Sequence, residues 1–151
     1  EKEAIRKTNV MIEEKQIEIK FDENQDIKVF ADDFYIEQVL TNYLTNAIKN
    51  AKEMYGEKYI KISNEINEEK NKVCIKVFNT GEQISEENLN RIWNRFYKAD
   101  ESRHRGDGGT GIGLAFVKAI MSNYDNKYGV RNLENGVEFY FELDMRQEEQ
   151  A

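Results

Sequence analysis

Two asparagines and a lysine are spaced to lie on one side of a single predicted helix. Asn42, Asn46 and Lys49 fall in a segment whose apolar residues recur with helical periodicity on a different side. Asparagine is a poor helix former, and a surface selected only for stability would favour Glu, Lys or Ala. Its carboxamide oxygen suits Mg²⁺, which usually completes its coordination shell with water and phosphate oxygens. The polar stripe therefore indicates a magnesium–triphosphate site, with a solvated helix face as the alternative interpretation.

A glycine-rich segment precedes a second predicted helix. Residues 108–114 read Gly-Gly-Thr-Gly-Ile-Gly-Leu, and apolar residues follow with helical spacing. Glycines let a backbone approach an anion closely, and the N-terminus of a helix offers it unpaired N–H groups. The segment lacks the Lys-Ser/Thr ending of a P-loop, and no strand precedes it directly, so neither a P-loop nor a Rossmann site is predicted. It indicates either a phosphate-binding loop or a plain flexible loop.

A third segment, from Asn79 to Ile84, follows the end of a predicted strand. Asn79 offers an oxygen that can accept a hydrogen bond from the amino group of adenine, and an amide nitrogen that can donate to adenine N1. The same donor–acceptor match makes asparagine a reader of adenine in DNA recognition. The segment is therefore a candidate base pocket, and an ordinary turn is the alternative.

The elements that must position these residues follow from the spacing of apolar side chains. Alternation predicts strands over 15–21, 27–31, 58–64, 72–78, 127–133 and 137–143, the last two joined by a turn at Asn135-Gly136. Helical spacing predicts helices over 33–51 and 110–122, a weaker one over 1–14, and a short one that begins after Ser85. Residues 98–109 have little apolar content and are expected to form a flexible loop. Together these elements predict an α+β domain in which a layer of helices packs on a largely antiparallel sheet.

The composition predicts one soluble domain. The chain has 151 residues, of which 39% are apolar, which is enough for one packed core. A formal net charge of −7 argues against nucleic acid as a partner, because non-specific binding to nucleic acid needs a basic surface. No apolar run reaches the roughly 18 residues that a membrane span requires, and the charged start of the chain predicts no signal peptide. The single cysteine, Cys74, lies in an alternating apolar strand and is predicted to be a buried, reduced thiol.

In their order and spacing, four segments resemble the motifs of the GHKL ATPase superfamily, and within it those of the sensor histidine kinases. Residues 36–49 resemble the N box, 79–81 the first glycine box, 92–98 the phenylalanine box and 109–114 the second glycine box. Each box alone is a moderate signal, whereas four in the correct order are a specific one. The match covers nearly the whole chain.

The resemblance implies the Bergerat (GHKL) fold, a two-layer α/β sandwich in which a mixed, mostly antiparallel sheet packs on about three helices. One catalytic and ATP-binding domain would span 1–151, with 1–14 as the end of a linker from a dimerisation domain. Residues 98–109 would form a flexible ATP lid that closes over the nucleotide. Phe96 would be either an anchor of this lid or a residue of the core.

The resemblance also implies a role for each matching position. Asn46 would ligate Mg²⁺, with Asn42 beside the metal or the phosphates. Lys49 and Lys98 would contact phosphate oxygens, and Asn79 would bind the amino group of adenine. The full set of residues expected to bind ATP is Asn42, Asn46, Lys49, Asn79, Gly81, Ile84, Lys98, Gly109, Thr110, Gly111, Ile112, Gly113 and Leu114.

Several positions depart from the usual pattern of the histidine kinases. Asn79 stands where Asp is usual, Gln83 where Gly is usual, and Asn50 where an aromatic residue often stacks on the base. The usual His-Gly-Gly after the last helix is replaced near residues 124–126. An uncharged acceptor at position 79 forgoes a charge-assisted hydrogen bond worth on the order of 1 kcal/mol. These departures motivate the alternative that the chain is a docking module of a sensor kinase that handles no nucleotide.

The function implied by the resemblance is to bind Mg-ATP and to transfer its γ-phosphoryl group to a histidine on a separate dimerisation domain. This is two-component signal transduction, with a response regulator downstream. The single histidine, His104, lies between two arginines in the lid and is expected to be an exposed lid residue rather than the phosphoacceptor. Asn42 stands where hydrolysing relatives carry a glutamate that activates water, which predicts little hydrolysis.

A serine kinase of the anti-sigma type shares the fold and is a further alternative. The long phenylalanine box with Trp93 favours the histidine kinases over that class. We expect the chain to be monomeric and to be a cytoplasmic domain of a membrane-anchored protein.

Overall fold

The described part of the chain forms five strands and two α-helices. The computed structural model describes residues 17–21, 33–94, 113–124 and 126–145. The strands are β1 (Glu18–Phe21), β2 (Tyr59–Asn67), β3 (Lys72–Thr80), β4 (Tyr128–Leu133) and β5 (Gly136–Asp144), and the helices are α1 (Asp33–Asn50) and α2 (Gly113–Tyr124). The helix predicted over 1–14, the strand over 27–31 and the loop over 98–109 lie outside the described residues. Neither of the described helices combines the length and the apolarity needed to cross a membrane.

The strands form one mixed sheet in the order β1-β2-β3-β5-β4. β1 runs parallel to β2, whereas the other three pairs are antiparallel, which confirms the predicted mixed, mostly antiparallel sheet. β3 lies at the centre and pairs along its whole length with β5, from Lys72 opposite Asp144 to Thr80 opposite Gly136. The end of β3 that carries Asn79 is therefore held by a neighbouring strand on both sides.

The two faces of the sheet differ in polarity, as the alternation along β3 illustrates. Val73, Ile75 and Val77 are buried on one face, whereas Lys72 and Lys76 are only half-buried on the other. The buried face shares one core with α1 and α2, which confirms the predicted two-layer arrangement. The most completely buried large side chains are Leu40, Tyr43, Leu44, Ile48, Ile60, Ile62, Met121, Phe139, Phe141 and Leu143.

Tyr43 anchors α1 at the centre of this core. Its side chain is fully buried, and its hydroxyl donates a hydrogen bond to the main-chain oxygen of Tyr140 at 3.0 Å. Its ring meets those of Trp93 and Phe141 edge-on, at centroid distances of 6.5 and 5.7 Å. Burial raises the pKa of the Tyr43 hydroxyl well above its ordinary value, so the group stays protonated and can donate. These contacts set the rotation of α1 about its axis and so decide where its asparagine side faces.

The short helix predicted after Ser85 does not form. Residues 86–90 form successive turns, with the amide of Asn88 donating to the Ser85 carbonyl, and a single 3₁₀ turn follows over Arg91–Trp93. Asparagine favours turns over helix because its carboxamide competes for the hydrogen bonds of the backbone. The described part of the chain therefore holds two α-helices, where the resemblance implied about three.

The hairpin between β4 and β5 turns one residue earlier than predicted. Leu133 pairs with Gly136, which leaves Glu134 and Asn135 in the turn. Gly136 is needed for close packing instead, because a Cβ on it would clash with the main-chain oxygen of Asn79. The glycine therefore serves the approach of β5 to β3 and not the conformation of the turn.

The prediction that Cys74 is a buried thiol is wrong. Cys74 pairs with Glu65 on β2 and Glu142 on β5, on the open face of the sheet, and its side chain is half-buried. An alternating strand in a two-layer domain covers one face with helices and leaves the other in contact with solvent. Partial burial still disfavours the thiolate and raises the pKa of Cys74 to about 11.

Cys74 is expected to react slowly with iodoacetamide at pH 8. With a pKa of about 11, the thiolate fraction is about 0.1% at that pH, against about a quarter for a cysteine of ordinary pKa. The alkylation rate of the folded chain, followed by mass spectrometry, should therefore be about 250-fold below that of the chain unfolded in urea. It should also rise about tenfold per pH unit up to pH 10. Equal rates in the folded and unfolded chain would contradict the expectation.

Candidate functional site

The end of β3 meets the C-terminal end of α1, and this junction positions the candidate base pocket. The amide of Lys52, just after α1, donates to the main-chain oxygen of Thr80 at 2.9 Å. Gly81 follows with a φ of 151°, a backbone conformation that favours glycine. A Cβ on Gly81 would lie 2.7 Å from the main-chain oxygen of Asn50. Only glycine therefore lets the strand end approach the helix so closely.

Asn79 presents a buried acceptor at this junction. Its side chain is 1% exposed, and its Nδ2 donates to the main-chain oxygen of Thr80 at 3.1 Å. Its Oδ1 is buried and has no hydrogen-bond partner. A buried polar atom left unpaired costs about 1–3 kcal/mol, so a ligand that brings a donor to it gains that amount back. Because Nδ2 is bonded to Thr80, the atom of the carboxamide that is left for a ligand is the acceptor Oδ1.

The loop after β3 is fastened to the β4–β5 hairpin. Gln83 Nε2 donates to the main-chain oxygen of Leu133 at 2.7 Å, so this side chain is committed to the hairpin. The Ile84 amide donates to Asn132 Oδ1 at 2.9 Å, and Asn132 Nδ2 donates back to the Ile84 carbonyl at 2.7 Å. Asn132 was not among the predicted site residues. Its one sequence signal is that Asn132 is a carboxamide on the side of β4 that faces the helices, which is otherwise apolar.

The asparagine side of α1 meets the first residue of α2. Asn42 Nδ2 donates to the main-chain oxygen of Gln38 at 2.8 Å, which orients its carboxamide along the helix. Its Oδ1 lies 2.9 Å from the position that a Cβ on Gly113 would occupy. The N-terminus of α2 offers N–H groups and the positive end of the helix dipole there. The structure thus places a carboxamide oxygen close to a helix N-terminus. The oxygen suits the metal of a metal–phosphate ligand, and the helix end suits its phosphate.

One turn further along α1, Asn46 is paired with Asn50. Asn50 Nδ2 donates to the main-chain oxygen of Asn46 at 2.8 Å and to its Oδ1 at 3.2 Å. Asn46 is half-buried and Asn50 is exposed. Lys49, between them in the chain, is half-buried as well. This last turn of α1 therefore carries a second oriented carboxamide oxygen beside a lysine.

The predicted ATP-binding residues that the structure describes fall in two adjoining places. The asparagine side of α1 and the start of α2 hold Asn42, Asn46, Lys49 and Gly113, and the end of β3 holds Asn79 and Gly81. Ile84 and Leu114 are partly buried and pack against the core. The remaining predicted residues lie outside the described ranges, and they are Lys98, Gly109, Thr110, Gly111 and Ile112, together with Phe96 and His104.

The donors present fit a magnesium ion that is bound together with a nucleotide. Among the described residues, no group of three or more His, Cys, Asp or Glu side chains is placed to hold a metal. Two neutral carboxamides are too few for a site made of protein alone, and they match a cation that takes most of its shell from water and phosphates. The unpaired acceptor of Asn79 likewise fits a base with an exocyclic amino group.

A separate cleft of about 830 Å³ lies on the open face of the sheet, away from these residues. Three of its four lining cations are matched by acids: Lys72 lies 3.5 Å from Asp144, Lys76 bonds to Glu65, and Arg131 lies 3.1 Å from Glu138. The Lys76 ammonium also lowers the pKa of Glu65, which keeps this pair ionised. The cleft is therefore the poorer candidate for a phosphate ligand.

Comparison with known proteins assigns a family to the part of the chain that holds these motifs. The model of a family described as histidine kinase-, DNA gyrase B-, and HSP90-like ATPase matches residues 31–147. The sensor histidine kinase WalK of Bacillus subtilis (strain 168) is 30% identical over 128 residues, which cover 84% of this chain and 20% of WalK. The chain thus spans about a fifth of the length of this curated relative.

Among solved structures, the catalytic domain of the histidine kinase ThkA is 30% identical and superposes with a TM-score of 0.79, covering 95% of this chain and 88% of that one. The same kinase has been solved in complex with the response regulator protein TrrA, where the match has a TM-score of 0.70 and covers 94% of this chain and 38% of the kinase. The five-stranded sheet with helices on one face is therefore the architecture of a histidine kinase catalytic domain.

Proposed function

The chain belongs to the family of histidine kinase-, DNA gyrase B- and HSP90-like ATPases, and from that premise we propose that it binds Mg-ATP and donates the γ-phosphoryl group to a histidine on a separate domain. The observation that carries the proposal is the close approach of Asn42 Oδ1 to the first residue of α2, where a Cβ on Gly113 would lie 2.9 Å from that oxygen. This approach places a candidate ligand of a cation beside a helix end suited to anions, which is what a magnesium–triphosphate requires.

Asn79 and Gly81 form the base end of the proposed site. The unpaired Oδ1 of Asn79 accepts from the amino group of adenine. Guanine and hypoxanthine carry an oxygen at the corresponding ring position, and this acceptor would repel it. Gly81 adds no side chain to this end of the site, where a Cβ would lie 2.7 Å from the main-chain oxygen of Asn50. Gln83 is directed at the hairpin, so its departure from the usual glycine does not fill the pocket.

Asn46 and Asn42 form the phosphate end, and both would hold Mg²⁺ through their carboxamide oxygens. When bound, the cation neutralises the triphosphate and polarises the bond to the γ-phosphoryl group. Lys49 adds a positive charge to the same side of α1. We propose that Lys98 and the second glycine box, Gly109, Thr110, Gly111, Ile112, Gly113 and Leu114, complete this end.

The proposed acceptor is a histidine on a dimerising helical domain, and the proposed downstream partner is a response regulator. The complex of ThkA with TrrA supports a partner of this class. The only histidine of the chain, His104, has arginine neighbours on both sides and stays a predicted lid residue. A cytoplasmic position in a membrane-anchored sensor kinase is part of the same proposal.

The test is phosphotransfer in trans. The chain is mixed with radiolabelled Mg-ATP and a separately purified, histidine-bearing dimerisation domain, and label on that domain is followed over time. We expect phosphate that is lost in acid and retained in base, as phosphohistidine is. Acid-stable phosphate on serine would instead favour the anti-sigma type of kinase. A calorimetric titration without heat at millimolar Mg-ATP would favour a docking module that binds no nucleotide.

Hydrolysis of ATP by the chain alone is expected to be slow. Asn42 stands one turn before Asn46 and cannot take a proton from water, so the site lacks a general base at that position. Steady-state turnover should therefore stay below about 1 s⁻¹, the lower end of ordinary enzymes. A coupled assay for released ADP measures it, and a faster turnover that survives repurification would contradict the prediction.

An Asn79→Asp variant is expected to bind ATP about fivefold more tightly, because a charged acceptor strengthens its bond to the adenine amino group by on the order of 1 kcal/mol. Calorimetry with Mg-ATP measures the change. Inosine triphosphate is the control, since its base carries an oxygen in place of the amino group and its affinity should not rise. Equal affinities of the variant and the natural chain for ATP would show that Asn79 does not bind the amino group of adenine.

A further inference from the structure

The side chain of Asn50 is the group that orients Asn46. The two residues lie one turn apart at the end of α1, and Asn50 Nδ2 donates to both oxygens of Asn46, at 2.8 Å to the main chain and 3.2 Å to Oδ1. An amide nitrogen that donates to two oxygens of one residue fixes the position of that side chain relative to the helix. Asn50 itself is exposed and takes no part in the core.

This contact decides which end of the Asn46 carboxamide is turned toward Asn50. Two NH₂ groups repel each other, so the donor of Asn50 selects the orientation in which Asn46 presents oxygen. A carboxamide oxygen accepts two interactions, and Asn50 uses one of them. The second lone pair of Oδ1 remains for a cation. Without the donor, the carboxamide is free to turn and to present its nitrogen, which no cation binds.

Asn42 reaches a defined orientation by a different contact. Its Nδ2 donates to the Gln38 carbonyl at 2.8 Å, which leaves its Oδ1 toward Gly113. The two candidate ligands are therefore each held by one hydrogen bond along α1, Asn42 through its own nitrogen and Asn46 through the nitrogen of Asn50. Among the residues that the structure describes, another side chain orients Asn46 but none orients Asn42.

We propose that Asn50 is a positioning residue for the divalent cation, which it serves by holding Asn46 Oδ1 in the orientation that binds metal. This inference rests on the proposed function. Removing an outer partner of a metal ligand usually costs about 10–100-fold in affinity, and an exposed partner belongs at or below the lower end of that range. The apparent affinity falls in proportion to the fraction of molecules that present the competent orientation.

The experiment measures ATP binding by calorimetry twice, once with excess MgCl₂ and once with EDTA. The ratio of the two dissociation constants is the gain that magnesium provides. Asn50→Leu keeps the size of the side chain and removes the donor, and it is expected to lower this gain about 3- to 10-fold while the constant in EDTA stays unchanged. Asn50→Gln retains an amide donor and is expected to retain most of the gain.

Asn123→Leu is the matched control, because Asn123 is an exposed asparagine of α2, and its gain should equal that of the natural chain. Thermal unfolding followed by circular dichroism verifies that each variant is folded. A gain that Asn50→Leu leaves unchanged would overturn the proposal. So would an equal weakening in MgCl₂ and EDTA, since Asn50 would then act on the nucleotide. If the natural chain binds no ATP at all, the proposed function itself fails.

Discussion

An Asn46→Leu variant is expected to transfer phosphate to a separately supplied histidine domain at least about 100-fold more slowly than the natural chain. Leucine has nearly the shape of asparagine but offers no oxygen to a cation. The proposed magnesium ion would lose one of the two ligands that α1 provides, and the triphosphate would lose the cation that neutralises its charge. Because Asn46 is half-buried and lies outside the core, the fold should be retained.

The measurement is the initial rate of phosphohistidine formation at saturating Mg-ATP. Asn46→Asp serves as the informative companion, because a carboxylate remains a hard oxygen ligand for Mg²⁺ and should restore part of the rate. Unfolding by urea, followed by fluorescence of Trp93, verifies that both variants keep the natural stability. A rate for Asn46→Leu within threefold of the natural chain would exclude Asn46 as a ligand that the reaction needs.

A Gly81→Ala variant is expected to lose about 2–4 kcal/mol of unfolding free energy, and ATP binding with it. Two costs combine at this position. The φ of 151° disfavours any residue with a side chain, and the added Cβ would lie 2.7 Å from the main-chain oxygen of Asn50. Backbone cannot move aside as a flexible side chain can, so α1 and the end of β3 would be forced apart.

Gly56→Ala separates the two costs. Gly56 also has a positive φ, of 82°, but a Cβ on it would meet nothing within 4 Å. Its substitution should therefore cost only the conformational part, about 1 kcal/mol. Urea denaturation of the two variants gives the comparison, and equal losses would show that the contact with Asn50 does not matter. Nucleotide affinity should fall for Gly81→Ala and stay unchanged for Gly56→Ala.

The predictions that rest on periodicity within one element are close to the structure. The helix predicted over 33–51 is α1, Asp33–Asn50, and the strands predicted over 58–64 and 72–78 are β2 and β3, each a few residues longer. A strand buries every second residue, and a helix buries every third to fourth residue, so each element can be recognised from the spacing of its apolar residues. The short helix after Ser85 is the exception, because local carboxamides there favour turns.

The roles of the candidate ligands were assigned through the resemblance of four boxes. The order of the boxes indicates that their residues belong to one site, but it does not indicate which residues lie next to each other. The close approach of Asn42 to Gly113 depends on the packing of α1 against α2, and the unpaired acceptor of Asn79 depends on its burial beside Thr80. Asn50, a departure from the usual pattern in the sequence, becomes a partner of Asn46 only in the folded helix.

By itself the sequence determined most of the element types and the two-layer class, because each is written in local spacing. It also predicted, through its motifs, the residues with the chemistry for a magnesium nucleotide. The tertiary structure alone decided that Gly136 serves strand packing, that Gln83 is committed to the hairpin and that Cys74 lies on the open face. The physical reason is the strand order β3-β5-β4, which brings distant parts of the chain together, and the packing of both described helices on the same face of the sheet. No local pattern specifies which strands become neighbours.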